Sequence, residues 1–466
     1  MLQHTLNIPL AHPSKKIPTN ELENRFCDRM LSNPDLSRAI VSSQDNRSVP
    51  GFRWYRYREG FSWSLMQYLL SHVEHPTRLI DPFAGVGTAP FAATSLGGSG
   101  LGIEIMPVGA MVAKAIRAGA KVKAEEFRKA GNDLIRHVSS KREPAQRDFL
   151  NHIRITEKAF KPRVERKIAL ARGFLRRLND SPVANLLSLA CMSVLEPCSF
   201  TRKDGQFLRW DYRSGRDLRS KDFHKGNIPE LEDALKNKLE EMRADIAQLG
   251  KMVNRNCVEV VEDTCLSRLR KLPKGEFDSA ITSPPYANRY DYTRTYALEL
   301  VWLGYGEREV SELRQRLLSS TVENKPKTEF LSSFKKGFQH SEKVVGEQEA
   351  LQKILATLRE HAANKELANP HVIRLLENYF LEMAFTIFEM GRIMQPGGSW
   401  FMVNDNVQYS GIEVPVDLIL SDIAEQMEFR CESIWVLPKG KGNASQQMGK
   451  YGRKELRKCV YHWKRN

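Results

Sequence analysis

The chain has 466 residues, 41% of them hydrophobic and 27% charged, enough for one large core or two modest ones and unlike a low-complexity or disordered protein. Its seven cysteines are odd in number and widely spaced, with no CxxC pair and no nearby HxxxH, so neither a disulfide framework nor a metal site is indicated. A formal net charge of +15 argues against small neutral partners and for a polyanion, nucleic acid first, with a surface of solubilising lysines as the alternative.

Residues 1–50 are polar and turn-rich, an N-terminal arm with one helix expected around Asn20 to Leu31. The start carries no apolar run behind early positive charge, and no stretch is long and apolar enough for a membrane span, so a soluble, cytoplasmic, nucleoid-associated protein is expected. An amphipathic helix over Phe61 to Val73 precedes the short strand "RLIDPF", the glycine turn "AGVGT", an alanine-rich helix and a second strand, "GLGIEI". Strand, turn, helix and strand make a βαβ unit. Residues 107–250 then lose strand character and read as charged helices, too long for a connection and therefore an inserted helical domain. Strands return with "CVEVVED" and "FDSAITSPPY". A second helical insertion spans 307–370, and the chain closes with "GSWFMVND", a helix near Val416 to Gln426, "RCESIWVL" and "KCVYHW". The catalytic domain is thus expected to be assembled from 51–106, 251–306 and 371–466.

The turn Asp81-Pro82-Phe83-Ala84-Gly85-Val86-Gly87-Thr88 lets a ligand approach backbone at the start of a helix. A dinucleotide fingerprint would carry a third glycine where this chain has Pro90, which weakens a nicotinamide or flavin reading. Glu104 closes the second strand, where a carboxylate can accept both hydroxyls of a ribose. Asp263 follows the third strand and can accept from an adenine amino group, or simply form the turn.

Ser283-Pro284-Pro285-Tyr286 ends an apolar strand at the same sheet edge as the glycine turn. The prolines fix the backbone and leave carbonyls as acceptors, the Ser283 hydroxyl adds another, and Tyr286 offers a face for a flat ring. Such a shelf suits a substrate whose donor is an exocyclic amine. A proline-rich docking segment is the alternative, although such segments lie in polar linkers and this one terminates a strand.

"DPFAGVGT", "TSPPY" and "NRYDYTRTYALELVWLG" together resemble the S-adenosylmethionine-dependent DNA amino-methyltransferases, especially the N4-cytosine enzymes with their Ser-Pro-Pro-Tyr motif. The resemblance covers about half the chain. It implies an α/β fold, a Rossmann-like doubly wound methyltransferase sheet, mostly parallel with the final strand antiparallel and carrying large helical insertions. It implies that S-adenosylmethionine is held at its methionine end by the loop of Asp81, Pro82, Phe83, Ala84, Gly85, Gly87 and Thr88, at its ribose by Glu104 and at its adenine by Asp263. Phe61, with Ser62 beside it, matches the family's Phe-containing helix start. Ser283, Pro284, Pro285 and Tyr286 are the implied catalytic motif, and double-stranded DNA the implied partner, with a cognate restriction endonuclease where the enzyme serves a modification system. In many Ser-Pro-Pro-Tyr enzymes the catalytic motif precedes the glycine loop; here the glycine loop comes first, an order that resembles classes in which adenine is a common target. N4 of cytosine is the preferred expectation, with N6-adenine or an RNA base amine as alternatives.

For nucleic-acid contact the sequence offers the segment from Lys141 to Asp180, with twelve Lys/Arg against five acids. Within it "RVERKIALARGFLRR" presents Arg163, Arg166, Lys167, Arg172, Arg176 and Arg177 for phosphates, or as a solvated helix face. Arg289 beside the proline turn and Lys439 and Lys441 in the glycine-lysine loop are further candidates.

Overall fold

A computed structural model describes residues 20–41, 43–74, 76–205, 207–217, 223–438 and 455–466. Lys439 and Lys441 lie outside the described residues. Eight strands form the main sheet: β1 (Met30–Ser32), β2 (Arg78–Asp81), β3 (Ser99–Glu104), β4 (Val258–Glu262), β5 (Phe277–Thr282), β6 (Met394–Asp405), β7 (Phe429–Val436) and β8 (Lys458–Arg465). Their order across the sheet is β1-β7-β8-β6-β5-β2-β3-β4. All neighbours are parallel except where β8 meets β7 and β6, so the final strand is the antiparallel one. From the adjacent pair β2 and β5 the chain winds outward in opposite directions. That makes the gap between their carboxyl ends the switch point at which such sheets bind ligands.

Strand residues alternate between two buried layers because successive side chains point to opposite faces. Leu79, Ile281 and Phe401 join one hydrophobic cluster, and Ile80, Ala280 and Trp400 the other. The first cluster is completed by helices Trp63–Leu70, Pro107–Gly119 and Pro182–Cys198, the second by helices His371–Ile393 and Val416–Glu425. Both insertions thus pack into the layers of the sheet: Leu186, Leu235 and Leu249 of the first belong to one cluster, and Ile354 and Leu358 of the second to the other.

Two local expectations change. The N-terminal arm adds a strand as well as a helix: after Asn20–Phe26, the edge strand β1 pairs with β7 in parallel. Three residues of "MLS" carry too little alternation to reveal a strand. The region 107–250, expected to be all helical, contains a β-hairpin, Thr201–Asp204 with Phe207–Trp210. Its charged sequence "TRKD" hides the alternation that places Thr201 and Lys203 inward.

Candidate active site at the carboxyl edge of the sheet

The glycine turn leaves β2 directly. Gly85 and Gly87 sit at φ +54° and +81°, a region open to glycine and costly for other residues. Asp81, 1% exposed, accepts from the Phe83 amide at 3.0 Å and the Thr282 hydroxyl at 2.7 Å, both on Oδ1. The Thr282 bond ties the end of β2 to the end of β5. Asp81 Oδ2 and the Thr88 hydroxyl are buried without a hydrogen-bond partner.

Glu104, at the end of β3, accepts from the Gly85 amide and the Met106 amide, each at 2.6 Å. It therefore braces the glycine turn, a role its sequence position does not disclose. Gly109, in the next helix, allows this closeness: a Cβ there would meet the Gly85 carbonyl oxygen at 2.6 Å. Burial pushes the Asp81 carboxyl up to about 7 and the Glu104 carboxyl to about 8, against the hydrogen bonds that favour their charged forms. Asp263 abuts Glu104 through its amide, 3.2 Å from the Glu104 carbonyl, while its side chain accepts from the Thr264 amide at 2.8 Å and faces Lys271 at 3.7 Å.

On the other side of the switch point, Ser283 Oγ lies 3.3 Å from the Tyr286 hydroxyl, to which it donates. Because β8 runs antiparallel, its first residue, Lys458, reaches the same edge and stands in register with Asp405, the last residue of β6. The Lys458 ammonium is 3.4 Å from Asp405 Oδ1 and 5.7 Å from the centre of the Tyr286 ring. Sequence reasoning had no means of finding Lys458 or Asp405, since only strand order brings them to Tyr286. Arg289, three residues on, has φ +67° and a buried Nε with no hydrogen-bond partner.

A further group was missed. Tyr57 covers the glycine turn, its ring 3.2 Å from where a Cβ on Gly85 would stand, and stacks on Tyr296 at 5.1 Å between centroids. Glu59 accepts from the Tyr290 hydroxyl at 2.6 Å and from that of Tyr296. The segments before the glycine turn and after the proline turn are thereby joined over the site. The interleaved tyrosines of "RWYRYREGF" and "NRYDYTRTY" were the available signal.

Of Phe61 and Ser62, both expected at the cofactor, Ser62 has its hydroxyl engaged within the fold. Ser62 is fully buried; its hydroxyl accepts from the Leu65 amide at 3.0 Å, capping helix Trp63–Leu70, and donates to the Ile40 carbonyl. That hydroxyl serves the fold. Phe61 is half-buried, with its carbonyl held by Asn46 at 2.6 Å, next to Gly60, which borders Val86 of the glycine turn.

The basic helix Pro162–Arg177 is tied into the protein as well. Arg163 pairs with Glu230, Lys167 with Glu232, Arg166 with Glu143 at 3.2 Å, and Arg176 with Asp148 at 2.7 Å. Arg172 donates to the Phe149 carbonyl at 2.6 Å, and Arg177 lies 3.4 Å from His137 Nε2 and over the Phe174 ring. Four of the six thus pair with carboxylates, and all six have contacts inside the protein.

The glycine cradle, the two buried carboxylates and the partnerless Asp81 Oδ2 gather acceptors at the switch point, beside a second turn rich in acceptors. No protein-family model matches the chain. It is 42% identical over 457 residues to the type II methyltransferase M.AvaI of a Nostoc species, covering 95% of this chain and 92% of that protein. The M.AvaI of Anabaena variabilis matches to the same extent. The type II methyltransferase M.BsoBI of Geobacillus stearothermophilus is 35% identical over 472 residues, covering 96% and 91% of the two chains. With this identity spread over nearly its whole length, the chain belongs to the family of type II methyltransferases.

Proposed function

We propose that the protein is a site-specific DNA methyltransferase that moves the methyl group of S-adenosylmethionine to the exocyclic amine of a flipped base, N4 of cytosine in preference to N6 of adenine. The observation that carries this reading is the pairing of two turns at the switch point. The glycine turn and the Ser283-Pro284-Pro285-Tyr286 turn are linked by the 2.7 Å bond from Thr282 to Asp81.

The residues fit the cofactor on the grounds of the cradle and the partnerless Asp81 Oδ2. Asp81, Phe83, Gly85, Gly87 and Thr88 would hold its methionine end, Glu104 its ribose and Asp263 its adenine. When bound, it supplies a methyl group on a positively charged sulfur. The protein's task is then placement. Ser283 Oγ and the Pro284 carbonyl accept the two N–H groups of the target amine, which directs the nitrogen lone pair along the approach to the methyl group. Tyr286, braced by Lys458, offers its face to the base. Proximity and alignment of this kind lower a barrier by roughly 7–11 kcal/mol. The methylated nitrogen then sheds its extra proton to solvent water. A cognate restriction endonuclease is the partner that such a modification activity implies.

The order of the two motifs favours a second reading, adenine N6 as the target. Incubation with isotopically labelled cofactor and unmethylated DNA or RNA, followed by mass spectrometry of the nucleosides, decides between them. We expect labelled N4-methylcytosine from DNA. N6-methyladenine would retain the site and change the base; label confined to RNA, or absent from both, would overturn the proposal.

A further inference from the structure

We propose that the hairpin Thr201–Trp210 is a DNA-phosphate clamp at the rim of the active site, its grip formed by Arg202 and Arg209. The inference rests on the DNA reading above for its partner, and on the following geometry for its place.

The inward face of the hairpin locates it. Lys203, 3% exposed, donates to Glu299 at 2.6 Å and to the Tyr55 hydroxyl at 2.9 Å, and its ammonium lies 4.3 Å from the centre of the Tyr296 ring. Tyr296 stacks on Tyr57, which covers the glycine turn. The Lys203 carbonyl accepts from Arg58 at 2.5 Å, in the segment that carries Tyr57 and Glu59. The second strand of the hairpin packs against helix Tyr292–Thr295, which follows the Ser-Pro-Pro-Tyr turn. A duplex delivering a base to that turn passes this rim.

The outward face is chemically unusual. Arg202 and Arg209 are directly opposed across the two strands, and like charges in that position repel. Both guanidinium groups lie over one ring, Phe223, at 4.5 and 4.6 Å. Stacking of this kind holds the guanidinium plane while leaving its in-plane N–H donors available. Arg209 has a partial counter-charge in Asp204 at 3.4 Å, on a pair that is itself 42% and 46% exposed. Among the described residues Arg202 has no carboxylate or carbonyl partner, in contrast with Arg163, Arg166, Lys167, Arg172 and Arg176 of helix Pro162–Arg177. Two opposed, pre-oriented, under-neutralised forks match a phosphate backbone, which relieves their repulsion on binding. A protein of net charge +15 that binds DNA needs such free cations near its catalytic edge.

The test is DNA binding by the full-length protein as a function of salt, for the wild type, for Arg202→Gln and for Arg202→Gln with Arg209→Gln. Loss of two phosphate contacts should lower the magnitude of the slope of log K against log salt by about 2, and the single change by about 1. Affinity should fall about equally for cognate and unrelated duplexes, with cofactor affinity and the rate at saturating DNA unchanged. Arg163→Gln serves as the control and should leave the slope as it is. An unaltered slope in the double variant, or a change seen with RNA and not with duplex DNA, would overturn the clamp. A wild type that binds DNA through these arginines and yet methylates nothing would leave the clamp standing and remove the transfer reading.

Discussion

The two halves of the carboxyl edge treat charge in opposite ways. Around the glycine turn, Asp81 and Glu104 are buried together and held by amides and a hydroxyl, and among the described residues neither carboxyl forms an ion pair. Around the proline turn, Asp405 is half-buried, and Lys458 stands 3.4 Å from it. The first half withholds a cation and so favours a ligand that brings one, as a sulfonium and an ammonium do. The second supplies its own, and so suits a neutral target that presents N–H donors to hydroxyl and carbonyl acceptors. Burial of a carboxylate without a counter-charge is costly, and on the proposed reading the cofactor's cation would offset that cost in the first half.

The comparison can be broken most sharply at Ser283. Ser283→Ala should lower the turnover rate by about 10²–10³-fold, the scale for losing one pre-oriented hydrogen-bonding group, with cofactor affinity within about twofold of wild type. A parallel loss of cofactor affinity in calorimetry would show that the two halves do not act separately.

Asp81→Asn is next in size. It should weaken cofactor binding by about 10–100-fold, the range for one hydrogen bond to a charged group. The pH behaviour follows from the raised carboxyls. Between roughly pH 4 and 8 the folded, ligand-free protein holds protons that the unfolded chain releases, since Asp81 moves from 3.8 to about 7 and Glu104 from 4.5 to about 8. The stability these two groups lend is complete below their ordinary values and is lost as pH rises through 7 and 8. Urea unfolding of the free protein should therefore show a falling contribution over that interval, reduced in Asp81→Asn. Cofactor affinity should run the other way, dropping by up to about tenfold per unit as pH falls below 7. Affinity that is flat from pH 6 to 8 would mean that these carboxyls do not meet a cation.

The smallest effect is expected at Asp263. Lys271, 3.7 Å away and 61% exposed, neutralises it weakly. Lys271→Met should change cofactor affinity by less than about threefold, and a larger change would move Asp263 from the margin of the cofactor half to its centre.

The sequence by itself determined the seven longer strands, the glycine turn and the proline turn, because each is written in neighbouring residues: apolar runs bounded by turns, glycines where φ is positive, prolines at the end of a strand. The family membership confirms what those motifs resemble. What only the tertiary structure decided is what distant segments do to one another. Lys458 meets Tyr286 across 172 positions because β8 is inserted antiparallel between β7 and β6. Tyr57 reaches Gly85 by stacking on Tyr296. Ser62 reads as a ligand contact until its hydroxyl is seen capping a helix. The same limit separates the two basic surfaces: composition counts the cations of Pro162–Arg177 and of the hairpin alike, but folding brings carboxylates to Arg163, Arg166, Lys167 and Arg176 and a ring to Arg202. A local pattern specifies backbone conformation, whereas the availability of a side chain depends on whatever the rest of the chain packs against it.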